Sequence, residues 1–97
     1  MPDTWALRAG HLYDGEHLLG PSTVLVSDGV VIDVGEYLFG DFSVIDLGED
    51  VTLLARGTGR VGRGADADLL AVRGDPTVDP SAMQDVVGIW TAGVRVR

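Results

Sequence analysis

Residues Val44–Val72 read VIDLGEDVTLLARGTGRVGRGADADLLAV. Two short apolar runs, Val44–Leu47 and Val51–Leu54, open the stretch, and Gly48-Glu49-Asp50 turns the chain between them. A third run, Asp68–Val72, closes it after a glycine-rich approach. Short runs rich in Val, Ile and Leu, bounded by Gly and Asp, are strand signals. The two sides of the linker look like separate pieces of a larger protein, with a seam after Leu54.

The strand signals continue in both directions. Thr23–Ser27 and Val30–Val34 flank Asp28-Gly29, a pair suited to the positive backbone angles of a tight hairpin turn. Trp5–Ala9 has an alternating pattern, and residues 11–22 follow as a loop. Residues 36–43 break the pattern before Ser43–Leu47 resumes it. Beyond Val72, Gly74-Asp75-Pro76 stops the strand. Asp79–Asp85 offers a helical turn, with Asp79 as cap and Pro80 at its first position. Val86–Thr91 and Val94–Arg97 then form a second hairpin around Ala92-Gly93. The expectation is an all-β sandwich of seven or eight short strands with one helical turn near residues 80–85. It is one domain, 1–97, composed of an N-terminal segment 1–54 and a C-terminal segment 55–97.

Composition narrows the function classes. The chain has 97 residues, 45% hydrophobic and 6% aromatic, which suggests a core of Val and Leu. A net charge of −8 argues against nucleic acid and anionic membranes, since both reward clustered bases. Residues 1–54 carry ten acids and one Arg, whereas 55–97 carry five acids and six Arg. That asymmetry favours docking of the two segments in one sheet system. The chain has no Cys and no Lys, which excludes disulfides, thiolate chemistry and Schiff-base catalysis. The start, MPDTWALRAG, shows no charged leader or long apolar run, so a cytoplasmic location is expected.

The order of these motifs resembles the amidohydrolase superfamily, specifically its imidazolonepropionase-like and prolidase-like members. Such chains open with a DG turn, a V-x-V-x-DG hairpin and a VIDL-type strand pair. Here those are Tyr13-Asp14-Gly15, VLVSDGVVIDVG from Val24, and VIDLGEDVTLL from Val44. They close with a G-x-I-x-x-G-x-x-ADL signature running to G-D-P. This chain has GRVGRGADADLLAVRGDP from Gly59 and a terminal V-x-x-V-x-x-x-G pattern. The resemblance implies a composite β-sandwich whose two parts normally flank an inserted (β/α)8 barrel. A barrel takes about 250 residues, so the catalytic domain is missing between Leu54 and Gly62.

No catalytic, cofactor-binding or metal-binding residue is expected. The resembled site needs several histidines, an aspartate and sometimes a carboxylated lysine to activate water. Here there are only His11 and His17, at a spacing that matches no common ligand pattern. Gly57–Gly62, GTGRVG, fits a dinucleotide fingerprint literally, but no helix start accompanies it. Asp66 and Asp68 read as turn acids bonding nearby amides. Arg73-Gly74-Asp75 reads as a turn, and no nucleophile motif surrounds Ser22, Ser27, Ser43 or Ser81. Trp5 and Trp90 read as core residues. Loss of a barrel would bare apolar surface, so the expected partner is a second copy in a homodimer, or a separate barrel chain.

Overall fold

A computed structural model describes residues 4–36, 38, 40–56 and 60–97. Its strands are β1 (Thr4–Ala9), β2 (His11–Tyr13), β3 (Leu18–Leu19), β4 (Ser22–Ser27), β5 (Val30–Gly35), β6 (Ser43–Asp46), β7 (Val51–Ala55), β8 (Leu69–Arg73), β9 (Val86–Thr91) and β10 (Val94–Arg95). They form two sheets, ordered β5-β4-β1-β6 and β10-β9-β8-β7-β2-β3. The all-β architecture agrees with the sequence reading. Ten strands replace the expected seven or eight because residues 11–22, read as a loop, contribute β2 and β3.

The strand pairings explain how two sheets come from one chain. β1 and β6 run parallel in the first sheet, and their continuations β2 and β7 run parallel in the second. Thus both strands leave one sheet and enter the other side by side. The VIDL and VTLL runs therefore lie in different sheets and do not pair with each other. Gly10 occupies the crossing, where an added Cβ would lie 1.9 Å from the Glu49 carbonyl oxygen. Its N–H donates to the Gly48 carbonyl at 3.0 Å, and the Leu47 N–H donates to the Arg8 carbonyl at 2.8 Å. The backbone pairing therefore carries on through the corner.

Alternation puts Leu7, Val24, Val26 and Val31 of the first sheet against Leu12, Val51, Leu53 and Leu69 of the second. Trp90 is the bulkiest of the fully buried side chains. Gly88 makes room for it, since a Cβ there would meet the indole ring at 2.6 Å. Arg95 stacks over the same ring, 5.1 Å from its centroid, a favourable cation–π geometry. The expected helical turn is a 3-10 turn, Pro80–Gln84, with the Asp79 side chain accepting from the Ser81 N–H.

Two hairpins meet at their tips. Asp28 and Gly29 have φ of +53° and +77°, and Ala92 and Gly93 have +48° and +78°, the pair of positive angles a type I′ turn requires. The closing segment threads between these tips. Ala67 donates to the Gly29 carbonyl at 2.9 Å and accepts from the Gly93 N–H at 3.0 Å. Val31 exchanges hydrogen bonds with Gly64 and Ala65, both 2.8 Å, which covers the outer edge of β5.

Gly10→Ala is expected to abolish folding or to cost at least about 3 kcal/mol, because only backbone movement relieves the clash. Ala92→Asn relaxes a positive-φ position that lacks a local side-chain acceptor, and should gain about 1 kcal/mol. Urea unfolding midpoints of the two variants check both outcomes.

Candidate functional site

The residues singled out in the sequence do not converge. His11 is half-buried in β2, where it pairs with Thr52 of β7. His17 is exposed in the following turn, its Nδ1 4.0 Å from Glu16. Among the described residues no group of three or more His, Cys, Asp or Glu side chains could hold a metal ion. Gly57–Gly59 of the GTGRVG run lie outside the described residues.

In the ADAD run, the backbone of Asp66 forms an isolated antiparallel bridge with Val30 of β5. The Asp68 carboxylate accepts from the Ala92 N–H at 2.7 Å, so it caps a turn far along the chain instead of a neighbouring amide. In Arg73-Gly74-Asp75, Gly74 has φ +93° and donates to the Asp50 carbonyl at 2.6 Å. Arg73 pairs with Asp50 at 3.2 Å and with Asp85 at 3.7 Å. The Ser81 hydroxyl donates to Asp79 at 2.7 Å, and that of Ser22 to the Gly20 carbonyl at 2.9 Å.

Two features were not singled out from sequence. The first is an open groove of about 410 Å³ at the sheet-crossing corner, lined by Arg8 and His11 together with Glu36, Asp46 and Glu49. Arg8 donates its Nε–H to the Thr23 hydroxyl at 3.2 Å, and that hydroxyl donates to the Glu36 carbonyl at 3.3 Å. Arg8 thus supports the sheet face on which it lies.

The second feature is an apolar row. On the outer face of the six-stranded sheet, register aligns Leu18 with Tyr13, Tyr13 with Leu54, Leu54 with Leu70, and Leu70 with Ile89. Val96 extends the row by donating to the Ile89 carbonyl at 2.8 Å. The row is apolar from one sheet edge to the other. Its middle members are half-buried, and Val96 and its neighbour Val94 are 60% and 64% exposed. Beside it, Thr52, Val72 and Ala82 are buried at the 3-10 turn, and the Thr52 hydroxyl donates to the Gly74 carbonyl at 2.6 Å. The signal was present in LLAV, apolar at consecutive positions, and in VTLL and VVGIW, interrupted by Thr52 and Gly88 alone. A strand with one solvated face alternates; a strand covered on both faces does not.

Local bonding tunes three half-buried carboxylates. Asp14 is held below its ordinary value of 3.8 by the backbone N–H groups of His17 and then Glu16. Asp33 is lowered chiefly by the Arg63 guanidinium, 2.9 Å away. Asp75 is lowered chiefly by the Thr77 hydroxyl. Depressed carboxylates stabilise the fold above their unfolded pKa and lose that contribution as pH falls through the folded one. The melting temperature should therefore hold from neutrality to about pH 4 and decline below it. Replacing all three with Asn should blunt that decline in a pH-resolved thermal scan.

No protein-family model and no curated protein matches this sequence. Among solved structures, the chain is similar to an N-acetyl-D-glucosamine-6-phosphate deacetylase from Mycobacterium smegmatis, at 22% identity and a TM-score of 0.46 over 55% of this chain. It is also similar to a Xaa-Pro dipeptidase with methionine bound in its active site, at 19% identity and a TM-score of 0.45 over 54% of this chain. In each case the match spans only 14% of the other protein. Among the described residues no helix is long and apolar enough to cross a membrane.

Proposed function

We propose that this chain is a noncatalytic amidohydrolase-like β-sandwich module that associates with a second copy of itself. The observation that carries the reading is how the opening and closing signatures join. They meet as β7 and β8, paired from Val51 with Arg73 to Ala55 with Leu69. The Arg56 N–H continues that ladder to the Asp68 carbonyl at 3.0 Å. In the resembled enzymes a barrel of about 250 residues stands between the same two strands. Here residues 56–68 make the connection, and the described part of that linker is bonded to the sandwich.

The chemistry follows from what remains. Hydrolysis in such enzymes depends on metal-activated water held by several histidines and an aspartate. This chain has two histidines, one in a strand and one in an exposed turn, and no lysine. The apolar row on the six-stranded sheet supplies a reason to associate, because uncovered apolar area costs roughly 25 cal/mol per Å² in water.

Purified protein is expected to release no product from a panel of esters and amides, with or without added zinc. Light scattering should give the mass of a dimer at micromolar concentration. Turnover that disappears in His11→Ala would overturn the noncatalytic reading. Co-purification with a larger, histidine-rich barrel chain would favour an auxiliary subunit of a split hydrolase instead.

A further inference from the structure

We propose that residues 60–66 form a latched strap that detaches from the edge of β5 as a unit while both sheets stay folded. The Arg63–Asp33 ion pair is its latch. Among the described residues, no strand pairing of either sheet passes through the strap, whose bridge to β5, Val30 with Asp66, is isolated. Its backbone grips that edge at a single residue: Val31 donates to the Ala65 carbonyl and accepts from the Gly64 N–H, both at 2.8 Å. Of residues 60–66, only Val61 is buried. Gly62 and Gly64 lose more backbone freedom on ordering than other residues do, and release returns it. Beyond Asp66 the chain is fixed. Ala67 is buried and bonded to both hairpin tips, and the Asp68 carboxylate accepts from the Ala92 N–H at 2.7 Å. The strap therefore swings about Ala67 and leaves the β7–β8 ladder intact.

The latch is prepared by β5 itself. Arg63 Nη2 lies 2.9 Å from Asp33 Oδ1, and the same oxygen accepts the Val34 N–H at 2.9 Å. That backbone bond sets the carboxylate in place, two residues along β5 from Val31, before the guanidinium arrives. The side chains of Arg63 and Asp33 are 76% and 37% exposed, so water competes for the pair and its hold is modest. At the other end of the strap, Arg60 is 3.9 Å from Glu16, a looser contact between exposed groups. One buried valine, two backbone bonds and surface ion pairs are the marks of a segment that opens locally, ahead of the whole fold. Opening bares the N–H and carbonyl of Val31. A strand edge with free backbone groups is a template for further pairing, so the strap decides when β5 offers one. The device is independent of the noncatalytic, self-associating reading and needs no second copy.

Residue-resolved hydrogen exchange of the whole protein, read by NMR in low concentrations of urea, tests the strap. The amides of Val31 and Gly64 should share one protection factor to within about threefold, at least about tenfold below that of the β7–β8 amides. Their exchange should hardly respond to urea, because the opening exposes little surface, whereas the β7–β8 amides should accelerate steeply. The Gly93 amide, bonded to Ala67 at the fixed point, should behave like the β7–β8 group. Arg63→Ala should speed exchange at Val31 and Gly64 about threefold, and Arg63→Lys, which keeps the charge, should restore most of that loss. Arg63 is exposed, so neither variant should alter the far-UV circular dichroism. Val31 and Gly64 amides that follow urea as steeply as the β7–β8 group would mean that the strap leaves only with the whole fold, and the proposal fails. Protection factors that differ by more than about tenfold between the two overturn release as a unit. Unchanged exchange in Arg63→Ala removes the latch.

Discussion

The structure depends on a close approach of two backbones. Where β1 becomes β2, Gly10 passes the Glu49 carbonyl with no space for a side chain. This lets two parallel strands change sheets together and keep their mutual pairing on both sides. Each sheet is then extended from that pair: β4 and β5 add to β1, while β8, β9 and β10 add outward from β7. The hydrogen bonds from Gly10 and Leu47 keep the corner's backbone polar groups paired, as partly buried chain demands. A side chain at Gly10 would force the strands apart and open the core between Leu7 and Leu12.

The glycine-rich approach to β8 has a second task. An exposed sheet edge is a template for unwanted pairing, and proteins cover such edges with loops. Gly64 and Ala65 do this for β5 by bonding to both backbone groups of Val31. Gly64 has φ +90° and no atom within 4 Å of its would-be Cβ, so its glycine answers backbone conformation rather than crowding. Arg63 reaches Asp33 at 2.9 Å and fastens the same segment from outside. Opposite net charges of the two chain segments are here translated into a contact between named residues.

Much of this was legible in the sequence because local chemistry decided it. Asp28-Gly29 announced its hairpin, and Asp79-Pro80 announced a capped helical turn. The corner was not legible, because β2 and β3 have three and two residues, too few for alternation to register. Nor could Gly48-Glu49-Asp50 reveal that the strands on either side enter different sheets, since that depends on Gly10, far away in sequence. Asp68 was expected to bond nearby amides, yet it caps the Ala92-Gly93 turn, a partner that only tertiary structure supplies. The apolar row was written in plain view in Val- and Leu-rich runs, but its meaning required knowing which face of the sheet each residue occupies. The groove at the corner joins residues from four separate segments, and no local pattern brings them together.

The meeting of the two hairpin tips bears on how the chain reaches this state. Gly29 touches Ala92 and Gly93, so an early hairpin is locked only by one made near the other end of the sequence. Pairings of that separation demand loop closure before they return any stabilisation, and topologies built on them fold slowly. During synthesis the first sheet can assemble while β7 still presents an open edge to its surroundings. Only β8 closes that edge, since it is the strand that pairs with β7 on the side away from β2.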